Sequence, residues 1–72
     1  LQADIEAAAA DGMSPLYMAA AAGQVEAVQT LIELEADIEA EDDGGMRPLH
    51  EATYRGHVDV VRALVEKVHA LA

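Results

Sequence analysis

The sequence predicts an all-α protein made of two copies of one helix–turn–helix unit, and two observations carry this prediction. The chain repeats itself at a spacing of 33 residues: residues 1–39 placed on residues 34–72, without a gap, give 16 identities in 39 pairs. Each copy starts an apolar helical pattern at a proline and interrupts it at a glycine. A fixed period of this length is typical of stacked supersecondary units.

The second copy shows the elements of the unit most clearly. Gly45 allows the positive φ that a tight turn needs, and Pro48 fits the first position of a helix, where its missing N–H is not required. Leu49 and Ala52 then fall on one helical face, and Gly56 ends the helix. The pattern predicts a helix over 48–55 and a second helix that starts near 58 and continues toward 72.

The first copy has the same order of elements. Ser14 is placed to cap a helix that starts at Pro15 and runs to about 22, and a second helix is predicted over 25–34. Glu35 follows it where a glycine is common. A non-glycine residue there must either adopt a positive φ, at a cost of about 1 kcal/mol, or end the helix in another way. We expect a frayed or lengthened helix end.

Together these residues resemble the ankyrin-repeat pattern D-x-x-G-x-T-P-L-H-x-A-A-x-x-G-H-x-x-x-V-x-x-L-L-x-x-G-A-D-V. The second copy matches it at Gly45, Pro48, Leu49, His50, Ala52, Gly56, His57, Val61 and Leu64. The first copy matches it at Gly12, Pro15, Leu16, Ala19, Ala20, Gly23, Val28, Leu31, Ile32, Ala36, Asp37 and Ile38. The resemblance covers nearly the whole chain and implies an α-solenoid of two units joined by a hairpin-like arm. It also implies protein–protein recognition as the function.

The resemblance sets the expected domain organisation. We expect one domain over 1–72, with an extended arm over 1–11, repeat one over 12–44 and repeat two over 45–72. The helical pattern runs on through 67–70, where the family has a glycine-alanine turn. About three repeats are usually needed for stability, so we expect the chain to associate or to unfold easily.

Composition limits the class of partner. The net charge is −10, from 14 acidic and 4 basic residues, which disfavours binding to nucleic acid because Lys and Arg supply that affinity. A basic partner, or simple solubility, explains an acidic surface. No apolar run is long enough to cross a membrane. The chain has no cysteine, which fits an intracellular setting, cytoplasmic or nuclear.

No residue pattern supports catalysis, a cofactor or a dedicated metal site. His50 and His57 lie on different predicted elements and lack zinc-site spacing. The acidic residues 41–43 before the glycines resemble a calcium loop in composition alone. The paired glycines are not followed by a phosphate-loop lysine. We therefore expect a non-enzymatic protein in which His50 and His57 are structural and His69 lies on the surface.

Ankyrin stacks bind partners through a concave groove, formed by the hairpin tips and the outer-facing side of the first helix of each repeat. Methionine adapts readily to a partner, and Tyr and Arg often anchor interfaces. In the first copy the small residues Ala21 and Ala22 make this surface flat. Transferred position by position, the candidate partner-binding residues are Asp11, Met13, Glu41, Asp43, Met46, Tyr54 and Arg55.

Two other classes of function remain open from the sequence. One is a structural or engineered repeat scaffold, or an excised piece of a longer array, without a partner of its own beyond itself. Such a chain would form homo-oligomers through its exposed repeat ends, because Val60, Val65, Val68 and Leu71 cannot all face the first copy. The other is an acidic domain that responds to metal ions.

Overall fold

The computed structural model describes residues 6, 8 and 10–71. A single 3-10 turn spans Ala10–Gly12. Four helices follow, and the described residues form no β-strand: α1 Pro15–Ala21, α2 Val25–Glu33, α3 Pro48–Arg55 and α4 Val58–Leu71. The predicted all-α class is therefore confirmed, and each helix lies within about a residue of its predicted bounds. The extended arm predicted over 1–11 falls mostly outside the described residues.

The helices form two pairs that lie side by side. α1 packs against α2 and α3, while α4 packs against α3 and α2. Short loops connect α1 to α2 and α3 to α4, so each pair is antiparallel. We call α1 with α2 the first unit and α3 with α4 the second unit. The inner layer consists of α1 and α3, and the outer layer consists of α2 and α4.

The two inner helices begin in different ways. Ser14 Oγ accepts a hydrogen bond from the N–H of Tyr17 at 3.2 Å, which confirms the predicted cap of α1. Arg47, the corresponding residue before α3, carries no side-chain acceptor. Instead His50 Nδ1 accepts the N–H of Arg47 at 3.1 Å. The role of His50 in the structure is therefore to satisfy a backbone donor at a helix start.

The end of α2 differs from our expectation. The helix is neither frayed nor lengthened: it ends at Glu33, and Glu35 takes the left-handed conformation with φ 68°. The N–H of Ala36 donates to the carbonyl of Leu31 at 3.0 Å, and the N–H of Glu35 donates to Ile32 at 3.0 Å. These two bonds form a Schellman motif. They satisfy carbonyl groups at the helix end, which offsets the strain of a non-glycine residue at this position.

The hydrophobic core lies between the two units, so neither unit buries it alone. Two of its residues come from the arm that follows α2, which therefore packs inward before it turns. The buried apolar cluster consists of Leu16, Ala20, Val28, Ala36, Ile38, Ala52, Val60 and Leu64.

Candidate protein-interaction surface

The arm between the units turns at an acidic tip that Asp42 organises. Asp42 Oδ1 accepts the N–H of Gly44 at 2.8 Å and the N–H of Met46 at 2.9 Å. The N–H of Asp42 in turn donates to the carbonyl of Met46 at 2.8 Å. The Met46 N–H bond is the main cause that lowers the pKa of Asp42 below its usual value. The carboxylate is therefore part of the turn, and it fixes the direction in which the tip points.

The turn before α1 and this tip are joined through the backbone. The N–H of Asp43 donates to the carbonyl of Asp11 at 2.9 Å. Gly12, with φ +74°, lies against Asp43 so closely that a Cβ would collide with its carboxylate. The tip of the first unit, Asp11–Gly12, and the tip of the second unit, Asp43–Gly44, therefore lie side by side. The side chains of Asp11 and Asp43 are both exposed there.

Arg47 partly neutralises the arm below the tip. Its guanidinium contacts Glu39 at 2.8 Å and Glu41 at 3.2 Å. These side chains are about half exposed, so such ion pairs contribute roughly 0–1 kcal/mol each. Glu41, one of the predicted partner-binding residues, therefore already has a cation beside it. By contrast, the ion pairs found among residues 10–71 do not include Asp11 or Asp43.

Glu51 connects the two inner helices. It accepts a hydrogen bond from the hydroxyl of Tyr17 on α1 at 3.1 Å, and it pairs with Arg55 Nε one turn later on α3 at 2.5 Å. The Arg55 bond is the main cause that holds the pKa of Glu51 below its usual value. Burial, followed by the bond to Glu51, raises the pKa of Tyr17 to about 12. Arg55 therefore supports the junction between the units as well as facing solvent.

An apolar depression lies beside the tip of the second unit. It brings Met46, at the base of the tip, together with Leu49, Thr53 and Tyr54 on α3, and His50 lines its edge. Tyr54 is 84% exposed, the highest value among the large apolar side chains of the described residues. Two predicted partner-binding residues, Met46 and Tyr54, are thus brought into one surface. Met13, the counterpart of Met46, is half-buried in the first unit.

Comparison with known protein families decides the class of the fold. A family model described as ankyrin repeats, in three copies, matches residues 1–71. The chain belongs to the ankyrin-repeat family. Among curated proteins no match is found. Ankyrin repeats are generally protein–protein interaction modules, and the family is typically non-enzymatic. The first and second units are ankyrin repeats, and we refer to them below as repeat one and repeat two.

The loops opposite the tips are also joined. His57 Nε2 donates to the carbonyl of Ala21 at 3.0 Å, so the loop histidine of repeat two holds the loop of repeat one. Its ring lies directly over Gly23, where a Cβ would come within 2.8 Å of the imidazole. Gly23 also has φ +73°, so the ankyrin-repeat glycine is needed here for both its conformation and its size.

The predicted surface residues therefore have three different environments. Asp11 and Asp43 form the joined tips, Met46 and Tyr54 line the depression, and Glu41 and Arg55 are held in ion pairs. Met13, the seventh predicted residue, is half-buried, as Met46 is. Asp42 and Glu51 were not among the residues predicted from the sequence. An aspartate two residues before a glycine is a turn signal, and Glu51 lies four residues before Arg55, the spacing of helical ion pairs. Both residues could have been found from these signals.

Other kinds of site receive no support from the described part of the ankyrin-repeat domain. Within residues 10–71, no three His, Asp or Glu side chains are grouped so that they could hold a metal ion. None of the four helices is long and apolar enough to cross a membrane. The histidines at 50 and 57 instead bind backbone groups, as described above.

Proposed function

We propose that the chain is a non-enzymatic protein-interaction module that binds a basic, extended segment of a partner protein. The segment lies across the hairpin tips and the first helices. The observation that carries the proposal is the apolar depression at Met46 and Tyr54, which follows directly after the joined acidic tips. An intracellular setting, cytoplasmic or nuclear, is part of the proposal.

The depression supplies the apolar part of the interface. Tyr54 has a large, rigid ring that is almost fully exposed, and tyrosine is among the residues that most often dominate binding energy. Its ring also attracts Lys or Arg side chains through cation–π contacts. Met46 beside it can adapt its flexible thioether to the partner's shape. One apolar or aromatic residue of the partner would fill this depression.

The tips supply the electrostatic part. Asp11 and Asp43 are exposed, adjacent through their backbones and outside the ion pairs of the described residues. The overall charge of −10 adds a field of the same sign. Such a surface attracts basic segments and repels acidic ones, which raises association rates and selects partners.

Selection from a displayed library of random extended peptides tests the proposal. We expect the enriched peptides to combine Lys or Arg with one apolar or aromatic residue. Tyr54→Ala should weaken their binding by about 2 kcal/mol, which is more than tenfold. The control is Glu26→Gln, since Glu26 is an exposed carboxylate on α2, and it should leave binding within about twofold. Enrichment of acidic peptides, or equal effects of the two variants, would contradict the proposal.

A salt titration tests the role of the tips separately. Binding should weaken as salt rises, because exposed charges are screened beyond about 10 Å at 0.1 M ionic strength. The double variant Asp11→Asn with Asp43→Asn should bind more weakly at low salt and show a shallower salt dependence. Glu26→Gln should keep the original slope. A slope that does not change in the double variant would show that the tips are not the electrostatic contact.

A further inference from the structure

Equivalent faces of the two repeats have different neighbours and are buried to different extents. In repeat one this face consists of Leu16, Tyr17, Ala20 and Val28, and repeat two buries all four. The residues 33 positions later are Leu49, His50, Thr53 and Val61, which are half-buried or exposed. Together with Val65 and Val68 on α4, they form what we call the trailing face of repeat two. We propose that the trailing face binds repeat one of a second copy of this chain, so that copies stack head to tail.

Repeat one carries the matching face on its other side. Repeat two packs onto repeat one through positions that include Glu51, Val60 and Lys67. The equivalent residues of repeat one, 33 positions earlier, are Met18, Ala27 and Leu34, respectively. Met18 is 40% exposed and Leu34 is 58% exposed. We call these three residues the leading face. Both ends of the described domain therefore present apolar side chains, and the contact between the repeats supplies the arrangement that would join them.

At one pair of facing positions, both side chains of the proposed contact between copies differ from those in the contact between the two repeats. Inside the chain, Lys67 of repeat two lines a surface depression with Glu35 of repeat one. When repeat one of a second copy packs on repeat two, as a third repeat would, Leu34 of the second copy occupies the position of Lys67. Val68 of the first copy then occupies the position of Glu35. A cation and an anion are thus replaced by two apolar side chains. Val68 is 44% exposed, so this contact would bury apolar surface that is now open to water.

At a second pair of facing positions, a charged side chain is again replaced by an apolar one in the contact between copies. Between the repeats, Glu51 accepts a hydrogen bond from Tyr17. In the stack, Met18 of the second copy takes the place of Glu51. It lies against His50 of the first copy, which takes the place of Tyr17. The exchange replaces a carboxylate with a flexible apolar side chain, and His50 already has a backbone donor on Nδ1. No buried charge is left without a partner by this exchange.

The geometry predicts how the assembly grows. A contact between unlike faces is heterologous and, unless the rotation closes a ring, it continues from copy to copy. The trailing face shares Leu49, His50 and Thr53 with the apolar depression, so stacking and peptide binding would compete at repeat two. Leu34 directly follows α2 and Val68 lies in the last turn of α4, and neither residue lines that depression. Substitutions at Leu34 and Val68 therefore test stacking without changing a residue of the peptide-binding depression.

Sedimentation equilibrium of the 72-residue chain tests the proposal. The weight-average mass should rise with concentration from 7.6 kDa to beyond twice that value, without a plateau at the dimer. A plateau at the dimer would mean that the trailing faces of two copies pair with each other, which would overturn head-to-tail stacking. A mass that stays at the monomer value up to millimolar concentration would overturn it as well.

Two exposed substitutions identify the contact. Leu34→Lys and Val68→Glu should each weaken association by at least about tenfold, because each places an unpaired charge in an apolar contact. An equimolar mixture of the two variants should regain association, since Lys on the leading face then meets Glu on the trailing face. Glu26→Gln, which changes the net charge as much as Leu34→Lys does, is the matched control and should associate like the parent chain.

Circular dichroism keeps this test interpretable. Both substitutions are on exposed positions, and Lys at a helix end and Glu within a helix are well tolerated, so helicity should match the parent chain. If folded single variants associate as strongly as the parent, the assigned contact is wrong. If they dissociate and the mixture does not recover, the two residues do not meet across copies, and the proposal is overturned.

Discussion

Leu16 and Leu49 occupy the same position in the two repeats, yet their surroundings differ. Leu16 has no exposed surface, whereas Leu49 is only half-buried beside the apolar depression. Both are leucines at the second position of an inner helix that starts with proline. The sequence pattern thus determines which way each side chain points, and the neighbouring repeat determines how much apolar surface it buries. Contributions to stability in a short repeat chain therefore depend on position in the stack.

The largest expected effect compares these two leucines. Leu16→Ala should lower the free energy of unfolding by about 2–5 kcal/mol, as buried Leu→Ala changes do, and Leu49→Ala by about 1 kcal/mol. A domain of this size has only about 4–10 kcal/mol in total, so Leu16→Ala should remove roughly half of the stability. Urea unfolding followed by circular dichroism at low concentration measures both. Equal costs would contradict the assigned difference in burial.

The second effect is the dependence of stability on the titration of Tyr17, whose counterpart in repeat two is His50. Burial and the bond to Glu51 raise the pKa of Tyr17 to about 12, above its usual value of about 10. The folded state therefore favours the neutral phenol. The resulting stability is fully present below about pH 10 and is lost as pH rises from about 10 to 12.

The chain has two tyrosines, so Tyr54→Phe leaves Tyr17 as the sole source of tyrosinate absorbance. We expect a single titration near pH 12, accompanied by loss of helicity. Tyr17→Phe should flatten the decrease of stability across the same range. A Tyr17 titration near pH 10 in the folded chain would show that the hydroxyl is not held between the repeats.

The third effect compares two residues with positive φ. Glu35→Gly should raise the free energy of unfolding by about 1 kcal/mol, because glycine adopts φ 68° without strain. Gly23→Ala should lower it by more, since a Cβ there meets the ring of His57 as well as an unfavourable φ. Thermal unfolding measures both. A loss of stability in Glu35→Gly would mean that the Glu35 side chain contributes more than its backbone strain costs.

The smallest effect compares the two helix starts. Ser14→Ala should cost about 1 kcal/mol, as removal of a helix cap does, because Ser14 is buried and bonded to the N–H of Tyr17. His50→Ala should cost less, about 0.5 kcal/mol, because its bond to the Arg47 N–H is exposed and water can replace it. A larger cost for His50→Ala would show that its imidazole has a further role in the folded chain.

The sequence predicted the helices well because each boundary carries a residue with a strong local preference. Pro15 and Pro48 start the inner helices, and Gly23 and Gly56 follow their ends. The end of α2 could not be predicted in the same way. Glu35 has no preference for the left-handed region, and the Schellman bonds that hold it there depend on the packing of the arm.

The candidate surface was only partly predictable, for a similar reason. The family pattern placed Met46 and Tyr54 on the surface, but it could not show that they line one depression. Nor could it show that Glu51 bonds Tyr17, a residue 34 positions away on another helix. Ion pairs such as those of Arg47 depend on rotamers that residue spacing does not determine.

The inner helices are tied to each other at both ends, at the tips by Asp43 and Asp11 and at the opposite loops by His57 and Ala21. The distance between successive repeats is therefore set before any partner arrives. The binding surface is preorganised, so only the incoming peptide loses conformational freedom on binding. Selectivity for the spacing between its basic and apolar residues would follow from this rigidity.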